Sequence, residues 1–255
     1  MTRKNLALRI PPGHDFRGAV RSIAEWGLGA AMIEAIGPLS PRELSRTGRR
    51  EVRALLASGG IVLDAVALPT RRPITEIEQW EDRLFRMNDA MGMAYELGSR
   101  RVCLAPGGVP GEEPRRIVFQ DHLRQLADAA EKHGVKLTCE AGLEPFAPLV
   151  ESVRALVHPN LALSLDPGRL VASGQDFVAE AESAHDLLGV VYATDPEFQG
   201  LGLARRGSKI DWERLGETLE EIGYRGRLTI WPDASIDPAV VVPEMGRRLK
   251  ITPKF

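Results

Sequence analysis

Eight short apolar runs recur along the chain, and each is followed by a stretch in which apolar residues return every three or four positions. The runs are 5–10 (NLALRI), 30–36 (AAMIEAI), 61–68 (IVLDAVAL), 101–105 (RVCLA), 136–140 (KLTCE), 161–166 (LALSLD), 190–195 (VVYATD) and 227–231 (RLTIW). Near-continuous apolarity over so few residues predicts strands covered on both faces, and the longer period predicts amphipathic helices between them. Gly27, Gly134 and Gly223 stand where helix C-caps are expected. The longest helix is predicted from Ile74 to Leu97. Strict strand–helix alternation implies a parallel sheet, and eight repeats at this length predict a closed (β/α)8 TIM barrel rather than an open doubly wound sheet. No Gly-rich dinucleotide fingerprint follows the first strand. With no linker and no low-complexity segment, one domain over residues 1–255 is expected.

Composition changes this picture little. A net charge of -2, from 33 basic and 35 acidic side chains, gives no electrostatic footprint for nucleic acid. No window has the length of a membrane span, and the N-terminal apolar stretch is short and broken by Arg9, so a cytoplasmic protein is expected. The two cysteines, Cys103 and Cys139, fall inside predicted strands without metal-ligand spacing, which favours buried free thiols over a disulfide.

In a barrel of this kind, chemistry gathers at the C-terminal ends of the strands. Those ends carry Glu34, Glu140, Asp166, Tyr192 and Trp231, with Asp64 earlier in its strand. Strand alternation places Thr138 with Glu140, Ser164 with Asp166, and Thr229 with Trp231 on the interior side, and turns Cys139 and Leu165 outward. Two desolvated carboxylates on neighbouring strands repel, so Glu140 and Asp166 call for a metal, a basic partner or a shared proton. A salt-bridged pair that only braces the rim is the alternative. Of the five histidines, only His14, after the first strand, lies on the predicted catalytic face.

The motifs LTCEAG, HPNLALSLDPGRL, VVYATD, RRGSKIDW and EIGYRGRLTI, with AMGMAYELGSRRVCLAPG before them, resemble the sugar phosphate isomerase/epimerase family. That is the xylose isomerase-like barrel group, and the resemblance covers nearly the whole chain in order. It implies an isomerase of carbohydrate metabolism that uses one divalent ion held by strand-end Glu, Asp, His and Glu. By position, the first two ligands match Glu140 and Asp166. The His falls at Tyr192 and the last Glu at Trp231, while a second, substrate-contacting His is replaced by Arg169. A neutral phenol is a poor ligand for a hard cation, and an indole offers no lone pair.

The expected site is therefore degenerate, with Glu140 and Asp166 holding manganese, magnesium or zinc weakly or not at all. Arg169 is the expected electrostatic surrogate, pairing with Asp166 and reaching toward Glu140. Two-base epimerisation loses its second carboxylate at Trp231, which leaves one-base enolisation or elimination at Glu140, with Tyr192 donating to the developing oxyanion. His14, Glu34, Trp231, Arg206 and Lys209 are the expected substrate contacts, with Trp231 either a stacking platform for a sugar ring or a plug. The expected ligand is a carbohydrate or sugar phosphate, and homo-oligomerisation is left open. The alternative is a non-catalytic carbohydrate-binding or scaffold protein. DNA repair by an endonuclease-type zinc cluster is disfavoured, because the His ligands and the basic surface are missing.

Overall fold

The computed structural model describes residues 2–195, 210–233 and 235–250. Eight strands, β1 (Leu6–Arg9), β2 (Ala30–Glu34), β3 (Val62–Leu68), β4 (Arg101–Leu104), β5 (Lys136–Glu140), β6 (Leu161–Leu165), β7 (Leu188–Ala193) and β8 (Leu228–Ile230), pair in sequence order. All are parallel, and β8 returns to β1 to close the barrel. The helices on the outside are α1 (Phe16–Glu25), α2 (Arg46–Ser58), α3 (Trp80–Glu96), α4 (Glu113–Lys132), α5 (Phe146–Leu156), α6 (Pro167–Ala172), α7 (Phe177–Ser183), α8 (Trp212–Glu221) and α9 (Pro238–Arg248). This is the predicted (β/α)8 architecture. No helix among the described residues is long and apolar enough to cross a membrane.

Alternation along each strand divides the apolar side chains into two cores. Leu8, Ile33, Val66, Leu137, Cys139, Leu163, Leu165 and Ile230 point outward under the helices, within one large cluster. Met32, Ala65, Ala67, Cys103, Val190 and Tyr192 form a separate cluster inside the barrel. The inner face is narrow, so it takes small side chains along with the fully buried Thr138, Ser164 and Thr229. At Gly189, where β7 bulges against β6, a Cβ would stand 2.6 Å from Thr138 Cγ2. The inward and outward assignments of Thr138, Cys139, Ser164 and Leu165 agree with the sequence reading. Cys103 and Cys139 are free, buried and on opposite faces of the sheet.

Helix ends follow local chemistry. Gly27, Gly134 and Gly223 take positive φ just beyond α1, α4 and α8, as the C-cap pattern predicts. The helix expected from Ile74 begins only at Trp80, and α4, not α3, is the longest. The reason is tertiary: Ile74 is fully buried, its N–H donates to Pro106 O at 2.8 Å, and its carbonyl meets His122 Nδ1 at 2.5 Å. The chain turns into α3 only after Gln79, whose φ is 54°. Helix α6 has no counterpart in the sequence reading; it is a single short element capped by Asp166.

Asp64 is not a mouth residue. It accepts from Arg101 and Arg227, each at 3.0 Å, and these two arginines stand at the beginnings of β4 and β8. The triad therefore ties together the N-terminal end of the barrel, where stability rather than chemistry resides.

Candidate active site at the barrel mouth

The ends of six strands converge on one polar centre. Arg9, Glu34 and Glu140 are the last residues of β1, β2 and β5, Tyr192 is the next-to-last of β7, and Asp166 and Trp231 follow β6 and β8 directly. Arg9, Glu140, Asp166 and Tyr192 are all buried. Four atoms of this set, Arg9 Nη1, Glu140 Oε2, Asp166 Oδ2 and Tyr192 Oη, are enclosed without a hydrogen-bond partner of good geometry among the described residues. Buried polar atoms are normally satisfied, so four such atoms at a strand-end mouth are an invitation to a polar ligand.

Arg9 is the hub. Its Nε donates to Glu34 Oε1 at 3.1 Å, and Nη2 lies 3.1 Å from the same oxygen. The guanidinium carbon stands 3.5 Å from the centroid of the Trp231 ring, a cation–π contact inside a largely desolvated site. Burial alone would lower the Arg9 pKa, but Tyr192, Glu140 and Glu34 outweigh it and hold the group charged more firmly than usual. Tyr192 moves the other way: burial, then Cys103 and Glu140, push its phenol well above the ordinary value, so it stays a proton donor. Burial likewise raises the Cys103 thiol to about 11, which keeps it protonated and inert.

Asp166 has a second environment. Its Oδ1 caps α6 by accepting from Arg169 N at 3.2 Å, and it also accepts from Thr194 Oγ1. Arg169 Nε stands 3.3 Å from Oδ2, and the same guanidinium lies 4.7 Å from the Trp231 centroid. Burial raises the Asp166 pKa, while Arg169, Thr194 and the Arg169 N–H partly counteract it.

A divalent ion would need more than this centre offers. Of its three carboxylates, Glu34 is tied to Arg9 and Asp166 to Arg169, while Glu140 lies in the field of Arg9; Tyr192 keeps its proton, and Trp231 has no lone pair. Among the described residues, no third His, Cys, Asp or Glu joins Glu140 and Asp166 within ligand reach. The described residues at this centre do not fit a resident divalent ion. One three-ligand cluster does occur, Asp128, Glu131 and His158 on the outer surface. There His158 Nδ1 accepts from Asn160 N at 3.1 Å, so the neutral ring carries its proton on Nε2, which faces Asp128 at 3.3 Å. That nitrogen is a donor to the carboxylate, not a lone pair for a metal.

The centre brings Glu34, Glu140, Asp166, Arg169, Tyr192 and Trp231 together. Arg169 reaches Asp166 as expected but makes no ion pair with Glu140; Arg9 is the cation there. Trp231 is half-buried, with Arg9 on its ring and Tyr192 at 5.1 Å in a tilted contact. His14 lies on the predicted face but is exposed and makes no side-chain hydrogen bond or ion pair with a described residue. Arg206 and Lys209 lie outside the described residues. Arg9 and Thr194 were missed by the sequence reading. Arg9 had a signal: a charge ending an apolar strand, at the same position as Glu34 and Glu140 in theirs.

No curated protein sequence matches this one significantly. Solved structures match it closely in shape at low identity. A xylose isomerase domain protein from Planctomyces limnophilus superposes with a TM-score of 0.78 at 19% identity, over 96% of this chain and 94% of that one. D-psicose 3-epimerase from Clostridium cellulolyticum H10, solved with D-tagatose, gives 0.79 at 17% over 96% of both chains. A 3-keto-D-glucoside 4-epimerase from E. coli gives 0.77 at 16%, over 98% of this chain and 99% of that one. The sequence profile of the xylose isomerase-like TIM barrel family matches residues 20–248, and with the closed eight-stranded barrel this makes the chain a member of that family.

Proposed function

We propose that the protein is an isomerase-type enzyme of carbohydrate substrates that moves a proton with one base and no resident divalent ion. The observation that carries this reading is the trio of enclosed atoms Arg9 Nη1, Glu140 Oε2 and Tyr192 Oη, which find no well-placed hydrogen-bond partner among the described residues. A hydroxy-carbonyl sugar supplies what each lacks. Glu140 takes the proton from the carbon beside the carbonyl, and the electron pair moves onto the carbonyl oxygen to give an enediolate. Arg9 and the Tyr192 O–H donate to that oxygen, where charge develops. Return of the proton to the former carbonyl carbon, while the neighbouring hydroxyl gives up its proton to the former carbonyl oxygen and becomes the new carbonyl, completes an isomerisation. Asp166 with Arg169, and Glu34 with Arg9, orient the groups around this exchange. Support at the family level comes from the neighbouring structures, whose own names are those of sugar epimerases and of a sugar phosphate isomerase/epimerase.

The test is deuterium exchange at the carbon beside the carbonyl, followed by NMR over a panel of ketoses and aldoses, free and phosphorylated. Exchange should persist in a chelator and vanish in the Glu140→Gln variant. Exchange that stops in chelator and returns with manganese refutes the metal-free reading. No exchange across a panel whose members do bind would instead favour a carbohydrate-binding protein.

A further inference from the structure

A second cleft opens on the flank of the barrel mouth, between the loop after β2, the loop after β3 and the outer helix α3. It encloses about 680 Å³, within the range that holds a small organic ligand. Leu68, Met87 and Ala90, all buried residues, supply an apolar floor. The rim is another matter: Arg42, Arg71, Arg72, Arg83 and Arg86 face a single carboxylate, Asp89. In a chain whose net charge is -2, this concentration of one sign is local and not compositional.

The five guanidiniums are not equivalent. Arg83 is fixed by donating to Glu76 O and Pro73 O, and Arg86 Nε donates to Asp82 O on its own helix. Arg72 makes two loose, exposed pairs with Glu76 and Glu78, at 3.4 and 3.7 Å. Arg42 and Arg71 have no ion pair or hydrogen bond with any described residue. Burial, and then the nearby charges of Arg72 and Arg86, hold the Arg83 pKa below its ordinary value even with Glu76 opposing them. The five cations, two of them without a described partner, outnumber the carboxylates Asp89, Glu76 and Glu78 and stand above an apolar floor. A planar guanidinium suits phosphate oxygens through paired donors, and the field of neighbouring arginines concentrates an anion there.

We infer that this cleft binds a small organic phosphate, its anionic head on Arg42 and Arg71 and its apolar body on Leu68, Met87 and Ala90. The site is separate from the Glu140 centre and does not depend on the reaction there.

Calorimetric titration of the intact protein with 1-naphthyl phosphate, 1-naphthol and inorganic phosphate tests this. The ester should bind at least tenfold more tightly than either fragment, and less tightly as salt rises. In an Arg42→Ala/Arg71→Ala variant its affinity should fall at least tenfold, with 1-naphthol binding and thermal stability unchanged. Both arginines are exposed and pair with no described residue, so their loss leaves the fold alone. Amide shifts on adding the ester should cluster in 35–42 and 68–90. Absence of binding, unchanged affinity in the double variant, or shifts confined to Glu140 and Trp231 would each overturn the inference.

Discussion

Replacing Arg9 by Met removes the cation at the centre of the mouth while keeping an unbranched apolar stem of similar length. The lost pair is buried on both sides, with Arg9 at 7% and Glu34 at 13% side-chain exposure. Stranding a buried carboxylate costs about 3–5 kcal/mol. The lost stacking on Trp231 adds about 1–2 kcal/mol at a desolvated site. The added apolar burial of Met offsets about 1–2 kcal/mol. The net expectation is a loss of about 4 kcal/mol, or roughly 8–16 °C in Tm for a chain of this size. Most of that cost belongs to the unpaired Glu34, so the Arg9→Met/Glu34→Leu double variant should recover all but about 1 kcal/mol. Urea unfolding of wild type, both single variants and the double, compared at a common m-value, closes the cycle. A single Arg9→Met loss below about 1 kcal/mol, or a double variant as unstable as the sum of the singles, would refute the view of Arg9 and Glu34 as a buried pair.

Asp166 gives a pH prediction. Its folded pKa is raised by burial, so the stability it contributes is present below the ordinary carboxylate range and lost as pH rises through the raised value. Asn keeps the cap on α6 but cannot ionise. The stability of Asp166→Asn relative to wild type should therefore grow from pH 4 toward pH 8 in thermal melts, and a flat or shrinking difference would contradict the assignment. At the opposite end of the barrel, Asp64→Ala strands Arg101 and Arg227. Because both guanidiniums are about one-third exposed, the expected cost is about 2 kcal/mol rather than the full buried-pair value. Sugar binding at the mouth should be unchanged, and a loss of binding at equal foldedness would show that Asp64 acts beyond the barrel floor.

The strand-end carboxylates were legible because β-alternation is strict. Once eight strands are recognised, the parity of Glu140, Asp166 and Trp231 follows from counting, and the barrel places them inward. The helix start at Trp80 was not legible, because a hydrogen bond from Ile74 to Pro106, 32 residues away, overrides the periodicity of 74–79. Asp64 and Glu34 look alike in sequence, each an acid in an apolar strand. Their positions along the barrel axis decide that one braces the floor and the other orients a cation at the mouth.

Sequence alone determined the barrel and the inward faces of its strands, since each rests on periodicity or position within one strand. Only the tertiary structure decided which cation faces Glu140. Arg169, three residues from Asp166, is tied to that carboxylate by the start of α6, and Arg9 arrives from the other end of the sequence because β8 closes against β1. The electrostatics of a barrel mouth depend on which strand ends become neighbours, and closure of the sheet sets that adjacency.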